Sequence, residues 1–274
     1  MQRRISIGVC SMQRLSSQDQ IDDQLCVISL TRTPQRLKDF FQRNAEALKY
    51  WNVRVLEGVD GTLQKELFKR SRLISDNVLK GWSPGAIGSA LSHMLSWRFC
   101  LQLGKPIVVV EDDAILAAKL KQNLHTMLKE RDEHPPFLLL GWNLDSLLQA
   151  ELQPGLGVIS LFEPAYPKEA ELTQLVNSST EKRMCKLKRC FGLPAYRITP
   201  KTSEYLLKQL SPLTSEVITM GRGIPTHFSE TLDGILNTQY EKIGAKIIFP
   251  PLALALNNQN ESLTRKRKPQ TFHN

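Results

Sequence analysis

The stretch IVVVEDDA, residues 107–114, most constrains what this chain can fold into. Ile107, Val108, Val109 and Val110 form a continuous apolar run, which suits a strand buried on both faces of a parallel sheet. The run leads straight into Glu111, Asp112 and Asp113. Carboxylates that close together repel and push each other's pKa upward, so something positive should be there to balance them. In an open α/β sheet, ligands bind at the carboxyl ends of strands. Oxygen atoms converging at such an end suit Mg2+ or Mn2+, which usually also holds substrate phosphates. Side chains alternate along a strand, so Glu111 and Asp113 share one side, with Asp112 opposite, for as far as the strand persists. Capping of the following helix would explain one aspartate, but not three acids in a row.

The flanking pattern is that of an α/β protein. CVISL (26–30) reads as a buried strand. Thr33-Pro34 is an N-cap followed by proline at the first helical position, and apolar residues at helical spacing carry the helix over 34–49. VRVLEG (53–58) is the next strand, so the chain opens strand, helix, strand, which favours a mostly parallel sheet flanked by helices. A long helix covers 85–103 and ends at Gly104-Lys105-Pro106. Helices follow at 117–131, 200–210 and 229–242, with strands at 106–111, 137–142, 157–162, 192–199 and 245–250. The stretch 163–189 is polar and poorly patterned and reads as an insertion or mobile loop, and 211–228 reads as a loop.

Three segments follow from this. Residues 1–24 read as a flexible leader, because the apolar patch 5–10 is broken by Ser6 and Gly8 and is too short for a signal peptide. Residues 25–256 form one domain, and 257–274 a basic tail. No apolar run approaches the roughly 20 residues of a membrane span, and the five cysteines suggest no disulfide framework, so the expected location is cytoplasmic. The net charge of +9 points to an anionic partner. It is concentrated in KRMCKLKR (182–189) and RKRK (265–268).

Other candidate residues lie near the same sheet edge. On the helix SPGAIGSALSHMLSWR (83–98), the face opposite the apolar one carries Ser89, Ser92, His93 and Ser96 where a solvent face would carry Lys, Glu and Arg. Small hydroxyls there imply close approach of another group. His93 reads equally as a buried, hydrogen-bonded histidine or as a substrate contact. Asp60 ends the second strand in EGVDG, and Asp233 lies in SETLDGIL. Each has a plain reading, as a turn and as a capping or exposed aspartate. There is no Walker A loop, no G-x-G-x-x-G after a strand and no G-x-S-x-G elbow.

Taken together, these pieces resemble glycosyltransferase family 25, the bacterial lipooligosaccharide galactosyltransferases and their collagen-modifying relatives. CVISLTRTPQR (26–36), EGVDG (57–61), GAIGSALSH (85–93), VVVEDDA (108–114), GLPAYRITP (192–200) and LDGIL (232–236) are similar to the family's motifs, in the family's order, over about residues 25 to 262. Ser29 stands where the family usually has asparagine, and Ser89 where it has cysteine.

The resemblance implies a nucleotide-sugar fold of the A type and a metal-dependent, inverting transfer of a hexose, galactose above others, from a UDP-sugar. The metal would be Mn2+ or Mg2+, with Asp113 as ligand and Asp112 and Glu111 beside it. Thr31, Arg32, Arg36, Asp60, Ser92, His93, Glu111 and Asp112 fall on the donor side, Glu111 toward the ribose. Asp233 is the implied base, with Glu230 behind it. The acceptor is a phosphorylated, lipid-linked glycan, met at the anionic inner face of the bacterial inner membrane. Two rival readings stand beside this one. A sugar nucleotidyltransferase would want a glycine-rich loop after the first strand, which TRTPQR lacks. A nucleic-acid-binding protein would want aromatics among its basic clusters, and these nearly lack them.

Overall fold

The computed structural model describes residues 22–63, 68, 70, 72–130, 134–162, 165–221 and 223–257. The expected leader up to residue 21 and the RKRK tail lie outside them. In chain order the elements are β1 (Gln24–Ser29), α1 (Pro34–Arg43), α2 (Ala45–Leu48), β2 (Val53–Glu57), α3 (Asp76–Gly81), α4 (Pro84–Leu103), β3 (Ile107–Glu111), β4 (Ala114–Leu116) and α5 (Leu120–Glu130). There follow β5 (Phe137–Leu139), β6 (Leu147–Gln153), β7 (Leu156–Leu161), α6 (Glu169–Val176), β8 (Arg183–Cys190), β9 (Ala195–Ile198) and α7 (Pro200–Gln209). The last are β10 (Val217–Ile218), β11 (His227–Phe228), α8 (Leu232–Leu236), β12 (Lys246–Phe249) and β13 (Ala253–Ala255).

Nine strands form one sheet in the order β2-β1-β3-β9-β5-β12-β8-β6-β7. The α/β class holds, but the sheet is mixed rather than mostly parallel. Only β1–β2, β1–β3 and β5–β12 run parallel; the remaining pairs are antiparallel. The opening strand-helix-strand unit forced a parallel start. Beyond it, β6 and β7 are joined by a tight turn at Gly155, with φ of 83°, and a short turn can only make an antiparallel pair.

The reading of residues 107–110 is confirmed side chain by side chain. Ile107 and Val109 enter the core on one face of the sheet, among residues of α4, α7 and α8. Val108 and Val110 enter the core on the other, among residues of α1, α5 and α6. The strand ends at Glu111, so alternation does not extend to the aspartates. They form the turn into β4, not the start of a helix.

Five expectations need correction, the first being the loop over 211–228, where β10 and β11 pair antiparallel. The single helix over 34–49 breaks at Asn44, which is 2% exposed. Its amide donates to the carbonyls of Phe40 and Ala114, and its oxygen accepts from the Leu116 N–H, so it ties the helix end to β4. The helix expected over 229–242 is only Leu232–Leu236, because the Asn237 side chain donates to the Asp233 carbonyl and accepts from the Cys190 N–H. The stretch read as a polar loop holds α6 and β8. Met184, Cys185, Leu187 and Cys190 of β8 are buried, and the basic residues between them hid that pattern. Of those, Lys186 and Lys188 lie near Glu151, and Arg189 pairs with Glu241. Finally, the fold already includes the end of the expected leader: Asp23 forms a buried ion pair with Arg197, 2.6 Å apart.

The turn after β2 packs backbone to backbone against the start of α4. A Cβ on Gly61 would lie 1.6 Å from the Pro84 carbonyl oxygen, and one on Gly88 would lie 2.4 Å from the Val59 carbonyl oxygen. Ser92 completes the joint, since its hydroxyl accepts from the Val59 N–H and donates to the Gly88 carbonyl. Gly88→Ala is therefore expected to destabilise the protein by about 1–3 kcal/mol through overpacking. Chemical denaturation checks this; an unchanged midpoint would show that the joint yields.

Candidate active site

The positive group required at the strand end is Arg36. It is carried by α1, which starts at Pro34 directly after the turn that follows β1. Its Nη2 lies 2.6 Å from Asp112 Oδ1 and 3.6 Å from Asp113 Oδ2. The other Asp112 oxygen accepts from the Ser29 hydroxyl at 2.7 Å. Burial pushes Asp112 above its ordinary pKa, while Arg36 and Ser29 pull it back. Asp113 is pushed up to about 7, by burial first and then by Glu111. Its Oδ1 is buried with no hydrogen-bond partner.

A second ion pair stands across the cavity. Arg32 Nε lies 2.5 Å from Asp60 Oδ2. The other Asp60 oxygen accepts from the Thr62 N–H and hydroxyl. Burial alone would raise the Asp60 pKa, but the Thr62 hydrogen bonds and Arg32 outweigh it and hold the group below its usual value. Thr31 does not line the cavity, and its hydroxyl donates to Glu57. Ser92 reaches the wall, and its hydroxyl proton is used in the joint between turn and helix.

His93 is 2% exposed and lies 3.2 Å from Glu111 through Nε2. The two alternatives left open by the sequence both apply: the side chain is buried and hydrogen-bonded, and it also touches the cavity.

Of the expected donor residues, Arg32, Arg36, Asp60, Ser92, His93, Glu111 and Asp112, together with Asp113, line this one cavity of about 240 Å³. The residues expected at the base, Glu230 and Asp233, line a second cavity of about 420 Å³. The cavities share Ser89, His93, Glu111 and Asn143. Asp233 is held by the Gly192 N–H, which donates to its Oδ2 at 2.6 Å, whereas Glu230 is exposed. Gly192 has φ of 87°, and a Cβ there would strike Asn143. That contact sets Asn143 at the boundary.

Asn143 and Asn257 also line the first cavity and were missed from sequence. Asn143 follows a buried strand with no motif around it, and Asn257 adopts a positive φ of 47° that only the folded chain reveals.

Among the described residues, no three His, Cys, Asp or Glu side chains form a ready-made metal cage. The acids still fit a cation that keeps water and phosphate as its other ligands, since Asp113 Oδ1 is unpartnered. Asp112 is engaged by Arg36 and Ser29.

Removing Arg36 leaves the buried Asp112 carboxylate unpaired. Arg36→Met is expected to cost on the order of 3 kcal/mol of stability, and adding Asp112→Asn should recover part of it. Unfolding of the two single variants and the double variant measures the coupling; strict additivity would show that the pair is not a pair.

No curated protein sequence matches the chain. The model of glycosyltransferase family 25 (LPS biosynthesis protein) matches residues 22–220. That span is more than half the chain and holds Arg32, Arg36, Asp60, His93 and Glu111–Asp113, but stops short of Glu230 and Asp233. The chain belongs to glycosyltransferase family 25.

Proposed function

We propose that this member moves galactose, with inversion at the anomeric carbon, from UDP-galactose to a sugar hydroxyl of a lipooligosaccharide acceptor. The observation that carries the reading is the pair of adjoining cavities: arginines and acids line one, Asp233 lines the other, and His93 and Glu111 stand between them. A two-substrate transfer needs this arrangement, with the reacting atoms meeting at the boundary.

On this reading the nucleoside diphosphate enters the first cavity. Arg36 and Arg32 meet its phosphates, with Asp112 and Asp60 fixing the guanidinium groups. Asp113, with Glu111 beside it, would hold Mn2+ or Mg2+. When bound, such a cation stabilises charge on the departing diphosphate. Glu111 faces the nucleotide at the boundary.

Asp233 takes the proton of the acceptor hydroxyl as that oxygen attacks. The Gly192 N–H fixes one of its oxygens, so the carboxylate is oriented before the acceptor arrives. Glu230, exposed behind it, meets the acceptor rather than the proton.

The phosphorylated, lipid-linked acceptor and a peripheral contact with the inner membrane rest on the net charge of +9. Among the described residues, no helix is long and apolar enough to cross a membrane.

Release of UDP from UDP-galactose, followed with and without Mn2+ in the presence of acceptor, tests the reading. Wild type should turn over only with the metal, and Asp113→Ala should lose that dependence together with the activity. Asp233→Asn should lower turnover by roughly 10²–10⁴-fold, the range of general-base catalysis, with UDP-galactose affinity unchanged. Full metal-dependent turnover by Asp113→Ala contradicts the metal assignment. Loss of donor binding in Asp233→Asn contradicts the base.

A further inference from the structure

Behind Glu111, the buried side of the cavity boundary holds a chain of polar groups with no role in the reaction proposed above. His93 Nδ1 lies 3.0 Å from the Tyr196 hydroxyl, and His93 Nε2 lies 3.2 Å from Glu111 Oε1. The Tyr196 hydroxyl accepts from Trp97 Nε1 at 2.9 Å. Trp97 and Tyr196 are fully buried. Trp97 lies one helical turn beyond His93 on α4, while Tyr196 is on β9, the sheet neighbour of β3, which ends in Glu111.

Hydrogen-bonding capacity gives this chain a direction. The indole N–H can only donate, and an ionised carboxylate can only accept. Glu111 therefore requires a proton on His93 Nε2. In that tautomer Nδ1 would be an acceptor, 3.0 Å from the Tyr196 hydroxyl. Ser96, the other hydroxyl close to Tyr196, gives its own proton to the His93 carbonyl at 2.7 Å. Burial pushes the Tyr196 phenol far above its ordinary pKa, so the hydroxyl keeps its proton.

We infer that Trp97, Tyr196 and His93 are positioning residues, a one-way hydrogen-bond relay that fixes Glu111 at the junction of the two cavities, where it accepts a hydrogen bond from a hydroxyl of the sugar nucleotide. The identity of that substrate rests on the proposed function; the relay itself does not. An unsupported glutamate would have several rotamers to lose on binding, whereas one held by a buried imidazole is set beforehand. The arrangement also accounts for a histidine at a position with almost no solvent contact.

Two measurements test this. The first needs no turnover. In full-length protein labelled with 15N-histidine, the His93 resonances are identified by their loss in His93→Gln. Wild type should show the neutral tautomer with the proton on Nε2, and Tyr196→Phe, which removes the donor to Nδ1, should move the Nδ1 resonance downfield while the proton stays on Nε2. A wild-type ring protonated on Nδ1, or on both nitrogens, overturns the relay.

The second compares His93→Gln, which keeps an N–H donor near Nε2, with His93→Leu, which fills the space without one. His93→Leu should lose about tenfold or more in kcat/KM for UDP-galactose, the scale of one hydrogen bond to a charged group, and His93→Gln should lose clearly less. If His93 merely filled the core, leucine would do as well as glutamine or better, and that ranking overturns the proposal. If Tyr196→Phe fails to fold, the wild-type spectrum and the His93 pair still decide. Wild-type protein that releases no UDP overturns the substrate reading while the tautomer measurement continues to judge the relay.

Discussion

The interaction on which the rest of the site depends is the contact of Arg36 with the aspartates that follow β3. A strand buried on both faces ends among three carboxylates, and Asp112 is 7% exposed. Without a cation, burial would drive such a group to its neutral form. Arg36 supplies the charge and Ser29 the second hydrogen bond, so Asp112 is fully engaged within the protein. Asp113 keeps one buried oxygen, Oδ1, with no hydrogen-bond partner.

The second constraint is the joint between the turn after β2 and the start of α4. The turn carries Asp60 and the helix carries His93, so their separation depends on how closely two backbones approach. Gly61 and Gly88 permit the contact, and Ser92 locks it. The serine stripe that suggested a ligand is in large part the mark of this packing. The hydroxyl of Ser92 gives its one proton to the Gly88 carbonyl, so it has none to donate to substrate.

Much of the first cavity was legible because its residues sit at the ends of elements with strong local signals. Thr33-Pro34 announced the helix that carries Arg36, and the valine run announced the strand that carries Glu111. The antiparallel half of the sheet was not legible in the same way. In β8, basic residues alternate with Met184, Cys185, Leu187 and Cys190, and long-range pairing rather than local pattern makes it a strand. The relay to Glu111 was hidden for a related reason. Tyr196 and Trp97 read as ordinary core aromatics, and only the pairing of β3 with β9 brings the Tyr196 hydroxyl to His93. The base at Asp233 was carried by resemblance alone. The structure adds its Gly192 partner and a cavity that adjoins the first.

The central claim is that one cavity takes the nucleoside diphosphate, with the arginines on its phosphates and Asp113 facing a divalent cation. A crystal structure of the protein with UDP and Mn2+ tests it most directly, because the anomalous signal of manganese locates the ion independently of the nucleotide. The account predicts manganese against Asp113, the diphosphate between it and Arg32 and Arg36, and the Asp112–Arg36 pair intact. Manganese bound at other carboxylates, or UDP lying in the cavity of Asp233, would contradict it.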